Sequence, residues 1–113
     1  MNINVSLNHI LPAWENKEIG ALVRNHIICK DNFSVSVQAS KIHYCFPRKT
    51  QKYHKSFELA CNISNDKDLL QKYYDGTKIY SDTFICPYVP AHIIELLILR
   101  HGGIDWNETP RKE

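Results

Sequence analysis

A chain of 113 residues, 43% hydrophobic and 23% charged, has the size and apolar content for one packed domain, which excludes a chain disordered throughout. A net charge of +2 excludes a uniformly basic or acidic surface, so the total says little about a partner. The distribution says more: residues 1–40 sum to zero, 41–55 to +5 and 56–113 to −3.

The amino terminus, MNINVSLNHILPAW, has no basic segment ahead of a long apolar one, so no export signal is expected. The longest apolar run, 93–99 interrupted by Glu95, is far short of the roughly 20 residues that span a bilayer. A cytoplasmic protein without membrane contact is expected. Cys29, Cys45, Cys61 and Cys86 then read as free buried thiols rather than as two disulfides.

In chain order, the first expected element is a helix over 16–29. Asn16 can cap it, and Ile19, Leu22, Val23 and Ile27 recur at helical spacing. Asp31-Asn32 punctuates the chain. Phe33, Val35, Val37 and Ala39 then alternate with Ser34, Ser36, Gln38 and Ser40, a half-buried strand. The alternation changes phase at Ser40-Lys41, which a bulge or bend would explain, and Pro47 ends regular pairing. Phe57, Leu59, Cys61 and Ile63 alternate again and form the partner strand. Ser64 or Asn65 can cap a short helix through Asp66, Asp68, Leu69, Leu70 and Tyr73, with Gly76 as its stop. One or two strands are expected within 78–89, at a sheet edge because of Pro87. The last helix starts at Pro90, carries its apolar body over 93–99 and ends at Gly102-Gly103.

These elements predict an α+β fold: a small, mainly antiparallel sheet of three or four strands packed by a carboxy-terminal helix, plus an amino-terminal helix and a short central one. One domain is expected. It divides into an amino-terminal helical extension (1–32), an α+β core (33–104) and a tail (105–113), whose last six residues, ETPRKE, are expected to fray.

The segment 41–55 is the expected working surface. It carries Lys41, Arg48, Lys49, Lys52 and Lys55 interleaved with Tyr44, Phe46 and Tyr53, and contains no acid. It is long for a hairpin connection, and long loops on a rigid scaffold often carry function. Cations neutralise phosphates and rings stack on bases, so nucleic acid or a nucleotide is one partner class. An acidic protein surface suits the same cluster equally well. The bland reading is a solvated loop kept in water by lysine, with Tyr44 and Phe46 turned into the core.

Three further constellations are weaker. His43, Cys45, His54 and Cys61 contain metal-ligand types, but the usual close pairs are missing, so the bland reading is a core thiol beside a surface histidine. Cys45 or Cys86 beside a histidine could act as a nucleophile, and Lys41, Arg48 and His43 could lower the pKa of Cys45. Arg100-His101-Gly102-Gly103 reads as a helix stop, with the cations beside the last carbonyls. No cofactor motif is present and none is expected.

Ser36-Val37-Gln38-Ala39-Ser40, His43-Tyr44-Cys45, Pro47-Arg48, Tyr88-Val89-Pro90 and His101-Gly102-Gly103-Ile104 together resemble a family of small proteins from tailed phages and prophages. The resemblance covers about residues 34–104 and departs from the family pattern at Phe46, where a small polar residue is commoner. It carries over no active-site residue. It implies a non-enzymatic accessory protein, cytoplasmic in a bacterial host cell, that binds and inhibits a host defence complex; anti-CRISPR proteins are the best-known group of that kind. The implied partner is a protein or ribonucleoprotein complex, with nucleic-acid contact and a homodimer both open. A nucleic-acid or cyclic-nucleotide sequestering protein and a small metal- or thiol-dependent enzyme are the alternatives.

Overall fold

The computed structural model describes residues 7, 11, 14–15, 23–51, 53–80 and 82–109. The two alternating segments become strands β4 (Ser34–Gln38) and β5 (Ser56–Asn62), paired antiparallel with Val35 opposite Cys61 and Val37 opposite Leu59. A period of two puts Val35, Val37, Phe57, Leu59 and Cys61 on one face, and all five are buried. The same period leaves Ser34, Ser36, Glu58, Ala60 and Asn62 on the other.

Four shorter strands and a longer one complete the β structure: β1 (Trp14–Glu15), β2 (Val23–Arg24), β3 (Ile27–Ile28), β6 (Lys78–Tyr80) and β7 (Thr83–Pro90). The main sheet has five antiparallel strands in the order β3-β4-β5-β7-β6, one more than the most that was expected. Its edge strands are only two and three residues long, too short to show a period in sequence. The central position belongs to β5, and β7 is its other neighbour rather than an edge. β6 reaches only Thr83 and Phe84 of β7, so Pro87 lies beyond it, where no β6 hydrogen bond is needed. β1 and β2 form a separate two-stranded sheet.

Helix α2 (Ala91–Arg100) follows β7 directly and forms the second layer. It packs Ile94, Leu97 and Ile98 on the apolar face of the sheet, with Ile93 partly buried. Each fully buried aliphatic contributes about 1.5–3 kcal/mol, so this contact is a main source of stability. The helix ends in a Schellman motif: Gly103 N–H donates to the Ile98 carbonyl and Gly102 N–H to the Leu99 carbonyl. Gly102 has φ +90, and a Cβ there would meet the Lys30 Cβ at 3.3 Å. The central helix α1 is a single turn (Lys67–Leu70) with Asp66 at its N-cap position. The Asp66 carboxylate does not cap it, because Arg100 and His101 hold that group.

The expected helix over 16–29 requires correction. Residues 23–24 and 27–28 are strands, and 16–22 lie outside the described residues. Pairing decided the matter. Ile27 lies opposite Val35, and the Gln38 side chain imitates a backbone on β2. Its Oε1 accepts the Arg24 N–H at 2.7 Å and its Nε2 donates to the Arg24 carbonyl at 2.8 Å. Pairs of this kind override a helical period built mostly from β-branched residues. The start of the segment expected to fray, at Thr109, is instead held to the sheet. Cys29 bridges Ile104, Asp105 N–H donates to the Ile28 carbonyl, and Thr109 is buried with its hydroxyl on Ile28. The sheet and its strap therefore begin before residue 33 and run past 104. Residues 110–113 are outside the description.

Candidate functional site

The segment 41–55 leaves the sheet after β4 and returns at β5, and its own polar side chains fasten it. Ser40 Oγ accepts the Ile42 N–H at 3.2 Å and lies 2.6 Å from His43 Nδ1. Thr50 Oγ1 accepts the Lys41 N–H, and Gln51 Nε2 donates to the Tyr53 carbonyl. The buried His54 donates from Nε2 to the Lys49 carbonyl at 2.7 Å and lies beside the core ring of Phe57. Phe46 bridges Ser56, which closes 47–55 into a loop. The return toward the sheet is fixed from below. Glu58 on β5 accepts the Tyr44 N–H at 2.8 Å, and the Tyr44 carbonyl accepts the Tyr88 N–H at 3.1 Å.

Tyr88 stands on a β-bulge. Phe57 pairs with Val89 and Leu59 with Cys86, so Pro87 and Tyr88 oppose Glu58 alone. Tyr88 takes φ +56, a left-handed conformation that a bulky side chain seldom adopts. The bulge turns its ring outward, 6.2 Å from the Tyr44 ring and tilted by 44° to it. The Arg48 guanidinium lies 5.0 Å from the Tyr44 ring centroid, within cation–π range.

Tyr44, Phe46, Tyr53 and Tyr88 are each 45% or more exposed, and Ile42 is exposed beside them. Lys41, Arg48, Lys49 and Lys55 are exposed as well. The reading in which Tyr44 and Phe46 turn into the core is therefore wrong. Lys52 lies outside the described residues. Sequence reasoning missed Tyr88 and Glu58 as members of this surface. A proline inside an otherwise apolar strand was the available signal, since it marks a bulge. Three of the motif groups quoted above, Ser40 with His43-Tyr44-Cys45, Pro47-Arg48 and Tyr88-Val89-Pro90, meet at this place.

The other candidates do not converge. His43 is tied to Ser40, His54 to Lys49 and the Cys45 thiol to the Ser40 and Pro47 carbonyls, while Cys61 faces the core from β5. No group of three or more metal-ligating side chains occurs among the described residues. Burial pushes the Cys45 thiol up, against the pull of Arg48 and Arg24, so the expected lowering by neighbouring cations does not occur. Burial likewise raises Cys29 and Cys61 to about 12 and Cys86 to about 11. All four are free and buried, the opposite of what a thiolate nucleophile needs. Ser40 is fully buried, so its short contact with His43 locks a turn and offers no hydroxyl to a substrate.

At the far end of α2, His101 and Arg100 do more than stop a helix. His101 Nδ1 lies 2.6 Å from Asp31 and its Nε2 lies 2.8 Å from Asp66, whose side chain is 1% exposed. Its ring stacks on Phe33, with centroids 3.9 Å apart. Arg100 reaches Asp66 at 3.2 Å and Asp68 at 2.9 Å. This clasp joins the turn at 29–33, the start of α1 and the end of α2.

No protein-family model, curated protein or solved structure matches the chain.

Proposed function

We propose that the loop 41–55, with Tyr88 beside it, is a preformed grip for a macromolecular partner. The protein is then a non-enzymatic accessory protein of phage type that attaches to a host defence complex and inhibits it, as anti-CRISPR proteins do. One observation carries the reading. Ser40, His43, Thr50, Gln51 and His54 side chains hydrogen-bond within the loop and its root and hold its backbone, while its rings and cations remain exposed. A loop ordered before binding loses little conformational entropy on binding, which favours affinity. Exposed tyrosines, a phenylalanine and an arginine are the residue types that dominate interface energetics. The choice of a defence complex as partner comes from the likeness to phage proteins.

The test is capture of defence-complex subunits from a bacterium that carries such a system, with the wild type and with an Arg48→Ala/Tyr53→Ala double variant. Both side chains are exposed, so the variant keeps the wild-type thermal unfolding midpoint within a few degrees. It is expected to lose at least about tenfold in capture, since two anchors are removed. Undiminished capture by the folded variant would rule out the loop as the main contact.

A further inference from the structure

We infer that the grip takes a single-stranded nucleic acid, either free or as the strand exposed by a ribonucleoprotein. This deepens the proposed function and rests on the loop being a contact surface. The first argument is charge. Lys41, Arg48, Lys49 and Lys55 are all exposed on one loop that contains no acid. Glu58, the carboxylate beside them, is engaged by the Tyr44 amide. Lysine is depleted in protein–protein interfaces, whereas phosphates call for it.

The second argument is the disposition of the rings. Tyr44 and Tyr88 stand side by side with planes tilted by 44°, and Arg48 lies over Tyr44. Phe46 and Tyr53 are exposed on the same loop. Rings and a guanidinium plane set among cations form a stacking platform along a charged track. A duplex offers such a platform nothing, because its bases already stack on one another. An unpaired strand offers a π-face at every base. The backbone strain at Tyr88 fits this use, since the bulge spends a sparsely populated conformation on presenting one ring.

Fluorescence anisotropy with labelled oligonucleotides of about 12 units tests the inference, a length within the range such sites cover. The probes are an oligouridine RNA, an oligothymidine DNA and a mixed-sequence duplex. Both single strands are expected to bind at least about tenfold more tightly than the duplex, and the RNA and DNA arms identify the natural strand. Four cations on phosphates predict an affinity loss of about fiftyfold between 50 and 200 mM salt. Tyr44→Ala/Tyr88→Ala is expected to weaken strand binding by tenfold or more, and Tyr44→Phe/Tyr88→Phe to keep it, because the rings remain. The thermal unfolding midpoint of the alanine pair separates loss of stacking from loss of fold.

Tighter duplex binding, no strand binding at 50 mM salt, or an unaffected alanine pair would each overturn the inference. If no strand binds but the Arg48→Ala/Tyr53→Ala variant still loses the defence complex, the grip holds protein and only this inference falls. If a strand binds and capture of the complex is unchanged in that variant, the reverse holds.

Discussion

Both ring nitrogens of His101 meet carboxylates, Nδ1 on Asp31 and Nε2 on Asp66, and only an imidazolium donates from both. Burial pushes its pKa down, but the hydrogen bonds and charges of Asp66 and Asp31 outweigh burial and raise it above the ordinary histidine value. The signs follow from linkage. A raised histidine contributes stability that is complete below its unfolded pKa of about 6.5 and disappears as pH rises through the folded value. Asp31 is lowered, first by the Phe33 N–H and then by His101, and Asp68 is lowered by Arg100. Those two contribute stability above the ordinary carboxylate range, and it is lost as pH falls through their depressed values. Urea unfolding of the wild type against His101→Gln should therefore show its largest difference at about pH 6, below the unfolded histidine value, and a shrinking one as pH rises through the raised folded value. A difference that does not vary with pH would mean that folding leaves the imidazole's pKa unshifted, and one that grows toward high pH would mean that the fold favours the neutral ring. None of this was legible in HGGI read as a helix stop, because Asp31 lies 70 residues from His101 in the chain.

Among the elements, β7 shows how local chemistry and tertiary contact divide the work. Its apolar residues and its length specify a strand, and Pro87 specifies an interruption. Only the register against β5, with Pro87 and Tyr88 opposite Glu58, turns the interruption into a bulge that aims a ring at the loop. The left-handed conformation of Tyr88 strains any side chain there by roughly 1–2 kcal/mol, which glycine escapes. Tyr88→Gly should therefore be about 1 kcal/mol more stable than Tyr88→Ala, although glycine is the more flexible residue when unfolded. Thermal and chemical unfolding of the two variants measure this directly. An alanine variant more stable than the glycine one would show that the conformation is not strained. Both remove the Tyr88 ring, so their comparison isolates backbone from contact surface.

Across the whole molecule, stability comes from one apolar face covered by α2, and the sheet edge at β3 is closed by the strap 103–109. Lys30 N–H donates to the Gly103 carbonyl, and Thr109 Oγ1 both accepts the Ile28 N–H at 2.8 Å and donates to the Ile28 carbonyl at 3.2 Å. This satisfies an edge that would otherwise offer itself for pairing with another chain. Thr109→Val keeps the shape and removes the hydroxyl, leaving the Ile28 N–H without its acceptor. It should destabilise the fold by about 1–2 kcal/mol, read as a lower urea midpoint at unchanged slope. No described helix is long and apolar enough to cross a membrane.

The sequence alone determined β4 and β5 by their alternation, and α2 by an apolar run between a proline start and a glycine stop. It also marked 41–55 as exposed, since five cations without an acid resist burial. Tertiary structure decided the rest. Residues 23–24 and 27–28 follow a helical spacing yet pair as strands, because β1, β4 and the Gln38 side chain supply partners that no local pattern reveals. Tyr44 and Tyr88 become neighbours through strand order and a bulge, and Asp66 keeps the N-cap position of α1 while its carboxylate goes to Arg100 and His101. Periodicity reports which side of an element avoids water. Which distant element arrives to cover that side, or to share an exposed one, depends on the energetics of the assembled sheet.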